Sequence, residues 1–210
     1  MVTQQRAADT QGSIIRGAAA VFAQHGYGEA ALSEITKAAG VTKGALYFHY
    51  PSKETLALAV IEEQHRIATS AGAAVRGLGR PALETVVRIL RSFSGLLLDD
   101  AIVRAGIRLT FEASAFNADV THPYLDWSQA FEVLLKQAIV EGDVNPSLDA
   151  AEFARLIVGS YTGVQMVSNV LTGRDDLLQV AGSLCKYLLP AIVPISRSEI
   201  IPPLQSLWFK

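Results

Sequence analysis

Apolar residues return at three- and four-residue spacings along almost the whole 210-residue chain, the period of helices that bury one face. The first predicted helix runs from about Thr10 to His25, with Ile14, Ile15, Ala18, Val21 and Phe22 on its apolar side and Gly26 as its stop. Leu32, Ile35 and Ala39 outline a short second helix ended by Gly40, after which Val41 turns back toward the core. Thr42 is placed to cap a third helix that starts at Lys43 and stops at Pro51, and Ser52 to cap a fourth that continues through EEQHRIATSA.

The segment Gly77 to Pro81 interrupts this pattern, and Pro81 suits the first position of a helix ending near Asp99 and Asp100. Another helix is expected from Ile102 to Ser114, then a loop through Asn117, Asp119 and His122. A long helix starts at Pro123 and ends at Gly142. Asp149 opens an apolar helix reaching Leu171, with Gly173 as its stop, and Asp175 opens a last one ending before Pro190. VSNVL and IVPI are too short to count as strands, so the expected class is all-α. From Pro194 to Lys210 the pattern allows Trp208 and Phe209 either to dock or to stay exposed.

The run LSEITKAAGVTKGALYFHYPSKETLAL, Leu32 to Leu58, places two short helices across a tight turn with a third behind. That is a helix-turn-helix, the unit that lays its second helix in the major groove of DNA. Leu46 faces inward to hold the reading helix, while Lys43, Tyr47 and His49 offer a cation, a phenol and an imidazole outward. The expected division is a DNA-binding domain over 1–52 and a larger ligand-binding and dimerisation domain over 53–210.

Half the residues are apolar and the mean hydropathy is +0.28, yet no apolar run approaches the ~20 residues of a membrane span. The surplus apolar surface points to an oligomer interface and a greasy ligand cavity. The segment MVTQQRAADTQ lacks a signal-peptide core and Cys185 is the one cysteine, so a cytoplasmic protein without disulfides is expected, with Cys185 as a buried hydrophobe. The net charge is −2; Met1 to Lys53 carries five basic and three acidic residues, hence +2, which leaves −4 for the rest and only a weak basic bias toward the reading unit. Catalysis finds little support. No Ser or Cys sits in a recognisable turn beside a His, and Glu62-x-x-His65 has the spacing of half a helical di-iron site with no second copy. No catalytic residue, metal or cofactor is expected.

Two segments of the second half carry more than core. In THPYLDWSQAFEVLL the Trp127 indole offers a flat apolar wall with one N–H donor, suited to cover a small amphipathic ligand. In IVGSYTGVQMVSNVLTGR, Thr162 and Gln165 share one face of an otherwise apolar helix, where buried polar groups need a partner that a ligand can supply. Gly159 and Gly163, four apart, suit close helix packing at a dimer interface.

The run GVTKGALYFHYPSKETL, residues 40–56, resembles the hallmark of the TetR family of transcriptional repressors. That resemblance implies DNA contacts by Thr42, Lys43, Gly44, Tyr47, His49 and Lys53, with Tyr47 and Lys53 mostly on phosphates and Lys43 nearest the base edges. Ala30 and Ala31 depart from it, standing where the family often has a capping Thr or Ser. Together with IEEQHR and VRAGIRLTFE, the ligand segments resemble the γ-butyrolactone and butenolide autoregulator receptors of actinobacteria, from about Arg6 to Pro194. This implies that Trp127 covers a lactone-type hormone and that Gln64 and Thr162 make polar contacts to it.

The expected function is therefore a cytoplasmic homodimeric repressor, bound to palindromic double-stranded DNA and released by such a ligand, controlling secondary metabolism. The rival readings are an orphan regulator of the same family sensing an antibiotic or drug-like molecule and a helical enzyme using the same cavity.

Overall fold

The computed structural model describes residues 2–116 and 119–209, and every described element is helical. Asn117, expected in a loop, lies outside the described residues. The helices are α1 (Val2–Glu29), α2 (Leu32–Ala39), α3 (Lys43–His49), α4 (Lys53–Arg76), α5 (Ala82–Asp99), α6 (Ala101–Phe111), α7 (His122–Val140), α8 (Ala150–Thr172), α9 (Leu177–Ile192) and α10 (Ile201–Ser206). Short 3-10 segments cover Ala113–Phe116 and Ile195–Ile200. Among the described residues, no helix is long and apolar enough to cross a membrane.

The chain forms two compact units, one of residues 1–70 with 96–120 and the other of 71–95 with 121–210. α4 and α5 are single helices whose residues contribute to both units. The first unit has its core where α1, α2, α3, the start of α4 and α6 meet, around Ile14, Phe22, Ile35, Leu46, Leu56, Val60 and Leu109. In the second, α8 packs against both α7 and α9, and Leu135, Ile157, Tyr161, Leu177 and Leu189 are buried.

Helix ends follow the capping chemistry in most places. Gly40, Gly142 and Gly173 adopt φ of 65°, 80° and 64°, the left-handed stops that favour glycine. Thr42 accepts the Ala45 N–H at 3.2 Å, Ser52 Oγ the Thr55 N–H at 3.0 Å, and Asp149 the Ala151 and Glu152 N–H groups at 2.9 and 3.0 Å.

Several boundaries differ from expectation. α1 begins at Val2, because nothing in VTQQRAAD breaks a helix, and the backbone break at Gly26 (φ 74°) is followed by a last turn to Glu29. α6 starts at Ala101 under an Asp100 cap and gives way to a 3-10 turn after Phe111. The last long helix opens at Leu177, not Asp175, because the Asp176 carboxylate is taken by Ser168 and Thr172 at 2.5 and 2.7 Å. It also runs through Pro190 to Ile192. A proline leaves the carbonyl four residues earlier without its helical donor; here that carbonyl, on Lys186, accepts Gln205 Nε2 from the tail at 3.4 Å. The tail docks through Trp208, 2 % exposed against Gly182, while Phe209 stays outside.

Candidate functional site

The reading helix α3 is held from behind and open in front. Leu46 is fully buried, and the Thr42 cap fixes the first turn. Thr42, Lys43, Gly44 and Tyr47 are exposed and His49 is half-buried, with Lys43 Nζ lying 5.8 Å from the centre of the Tyr47 ring. Five of the six residues expected at DNA therefore share this short element or its cap. Lys53 is turned elsewhere: its Nζ donates to the Gly28 carbonyl at 3.1 Å and sits 4.8 Å from the Tyr27 ring centre. Partial burial there holds its ammonium below the ordinary lysine value. α2 has no side-chain cap at Ala31, in line with the departure noted in the sequence.

Sequence reasoning passed over Phe48, the most exposed aromatic of the first unit at 84 %. Its signal was its place in the helix, two residues beyond the inward Leu46.

Behind the reading unit, α1 is tied to α6. Glu112 Oε2 accepts the Tyr27 N–H at 2.5 Å, and Glu112 Oε1 accepts Arg108 Nε at 2.9 Å. Arg108 Nη1 in turn donates to the Ala23 and Gln24 carbonyls at the end of α1, at 2.9 and 3.2 Å. Gly26 is required here, since a Cβ would stand 2.7 Å from Glu112 Oε1 at a positive φ.

Gln64 is buried in the first unit on α4, where its Cβ would lie 2.3 Å from a Cβ at Gly106 of α6. Gly106 thus lets α6 approach α4 at this residue. The other three ligand candidates belong to the second unit. The Trp127 ring lies over Gly72 of α4, with Cη2 3.1 Å from where a Cβ would be. Phe131 and Phe93 flank it at centroid distances of 5.8 and 6.4 Å, and Phe93 continues to Tyr161 at 5.9 Å. This aromatic wall joins α7, α5 and α8.

Tyr161 Oη shares a 2.6 Å hydrogen bond with Ser94 Oγ, and burial pushes its phenol well above the ordinary tyrosine value, partly offset by the serine. One turn further along α8, Gln165 is 2 % exposed and its Oε1 has no hydrogen-bond partner among the described residues. Thr162 is half-buried. Phe93, Ser94 and Tyr161 were not singled out from sequence; they sit in ordinary helical apolar runs, and only packing sets them beside Trp127.

The wall is aromatic with sparse polar groups, which suits a small amphipathic molecule. Cys185 is buried, and that burial pushes its thiol up to about 11.

Comparison with known proteins places both halves. Residues 14–60 match the family described as bacterial regulatory proteins, tetR family, and residues 80–194 match the tetracyclin repressor-like C-terminal domain. The A-factor receptor protein of Streptomyces griseus is 38 % identical over 192 residues, 91 % of this chain and 67 % of that one. A crystal structure of a gamma-butyrolactone receptor described as ArpA-like is 31 % identical with a TM-score of 0.82, covering 97 % of this chain and 98 % of that chain. CprB of Streptomyces coelicolor, solved with its biological operator sequence, is 32 % identical with a TM-score of 0.79 over 96 % of each chain.

Proposed function

We propose that this chain, which belongs to the tetR family of bacterial regulatory proteins, is a cytoplasmic, homodimeric, DNA-binding repressor. A γ-butyrolactone or butenolide-type signal releases it from palindromic operators, and its targets are genes of secondary metabolism. The observation that carries the ligand half is the buried, unpartnered Oε1 of Gln165 beside the aromatic wall. An acceptor left unsatisfied in a core costs about 1–3 kcal/mol. A ligand hydroxyl removes that cost, whereas a purely apolar ligand does not. Trp127, Thr162 and Gln165 are the proposed ligand contacts of the second unit, and Gln64 the proposed contact on α4. The similarity to the A-factor receptor over 91 % of the chain supports the same class of ligand.

Thr42, Lys43, Gly44, Tyr47, His49 and Lys53 are the proposed DNA contacts, with Lys53 leaving Gly28 to reach phosphate. The division into a DNA-binding domain at 1–52 and a ligand-binding and dimerisation domain at 53–210 belongs to this reading. The dimer is proposed to form on α8 and α9: Leu156, Met166, Val167, Val170 and Leu171 of α8 and Tyr187 of α9 are exposed apolar residues. At Gly159 and Gly163 an added Cβ would meet nothing within 4 Å, leaving room for a partner helix. Two half-sites one helical turn or a multiple apart, ~34–36 Å per turn, then match the twofold axis.

Because Trp127 rests on Gly72, a ligand that shifts the indole acts directly on α4, the continuous helix that begins just behind the reading unit. A 100-fold change in DNA affinity needs ~2.7 kcal/mol of coupling, which one or two hydrogen bonds made in a single state supply.

The test is fluorescence anisotropy of the purified protein on DNA from upstream of its own gene, with and without a butenolide or γ-butyrolactone. Release by either compound, abolished in Trp127→Ala, is the expected result. Tight binding indifferent to both would transfer the site to another small molecule, as in an orphan regulator, and absence of specific DNA binding would overturn the repressor.

A further inference from the structure

We infer that Phe48 reads a thymine in the operator half-site by placing its ring against the 5-methyl group of that base in the major groove. The inference rests on the DNA-binding role proposed above and adds a specificity-determining residue to it.

Phe48 is 84 % exposed on a helix whose inward residue, Leu46, is fully buried. A phenyl ring left in water forgoes the stabilisation that burying its apolar surface would contribute. Its ring meets the half-buried His49 edge-on, centroids 5.3 Å apart.

The position of the ring narrows what can cover it. Gly44 lies one turn earlier on the same face, and a Cβ there would meet nothing closer than Thr42 Oγ1 at 4.0 Å. The helix backbone can therefore approach the floor of a groove at Gly44 while the ring of Phe48 projects beside it. Lys43 and Tyr47, adjacent on the helix and also exposed, supply the polar groups that phosphates require. Phe48 can accept or donate no ordinary hydrogen bond, so it gains nothing from the polar base edges. Among the four base pairs viewed from the major groove, the thymine methyl is the one apolar feature.

The experiment removes that methyl and nothing else. Operators are selected from a random double-stranded DNA pool with the full-length protein, and each thymine of the selected half-site is replaced in turn by deoxyuridine. Wild-type protein is expected to bind about fourfold more weakly when one particular thymine is replaced, the ~0.8 kcal/mol of a single buried methyl-sized group. Phe48→Ala, which removes an exposed side chain and keeps the fold, is expected to bind more weakly and to treat thymine and uracil alike at that position. A Phe48→Ala protein that retains the preference, or wild-type protein indifferent to every replacement, overturns the inference and leaves the DNA-binding reading standing. Failure to enrich any sequence overturns both.

Discussion

The Trp127 indole lies against the bare backbone of Gly72, where a Cβ would stand 3.1 Å from Cη2 and 3.4 Å from Cζ3. α7 and α4 meet at this point with no side chain on the α4 side. At such a distance the indole must move by a few tenths of an ångström to accept even a methyl group.

Gly72→Ala is therefore expected to shift Trp127 without unfolding the protein, since a gain in helix propensity of up to ~1 kcal/mol offsets the crowding. Operator affinity without ligand should stay near wild type, while the ligand concentration for half-release should rise about tenfold, a change of ~1.4 kcal/mol. An unchanged release curve would show that this contact is only packing.

Gln165 sets stability against response. Replacing a buried, unpaired acceptor by an apolar group of similar size removes a desolvation cost, so Gln165→Leu should raise the stability of the unliganded protein by roughly 1 kcal/mol in urea unfolding. The same variant should respond poorly to ligand in the anisotropy assay. A destabilised Gln165→Leu would mean that the native amide makes a bond that matters to the fold.

Glu112 joins the end of α1 to α6 through the Tyr27 N–H and Arg108. Glu112→Ala leaves that N–H without its acceptor and leaves Arg108 only the Ala23 and Gln24 carbonyls, and should cost about 1.5–3 kcal/mol, the range for hydrogen bonds to charged groups. Glu112→Gln keeps an acceptor for Tyr27 and should lose less. Equal losses in the two variants would assign the effect to the charge alone.

Cys185 carries a pH dependence on the alkaline side. Its thiol is pushed from 9.0 to about 11 by burial, so folding favours the neutral form. The stability this contributes is complete below the unfolded pKa near 9 and is lost as pH climbs from there through 11. Cys185→Ala should flatten that alkaline decline in thermal melts. Native protein at pH 8, with about one thiol in a thousand ionised, should react with a disulfide reagent only as it unfolds; rapid labelling would contradict the burial.

Local chemistry was legible wherever one residue decides an outcome. Thr42, Ser52 and Asp149 cap helices as their side chains dictate, and Gly40, Gly142 and Gly173 end them, because these effects reach no further than one turn. The expectation failed at Asp175 and Pro190, where the Asp176 carboxylate is taken by Ser168 and Thr172, eight and four residues back, and the Lys186 carbonyl by Gln205, nineteen residues on.

By itself, then, the sequence determined the helical class, the helix-turn-helix and the outward set on α3, since hydrophobic period and capping are properties of neighbouring residues. Tertiary structure alone decided that Phe93 and Tyr161 extend the wall of Trp127, that Gly72 and Gly106 bring helices together, that Gln165 Oε1 has no partner among the described residues, and that Trp208 rather than Phe209 is buried. Each of these depends on which faces of separate helices meet, and that is fixed by the packing of the whole core rather than by any stretch of chain.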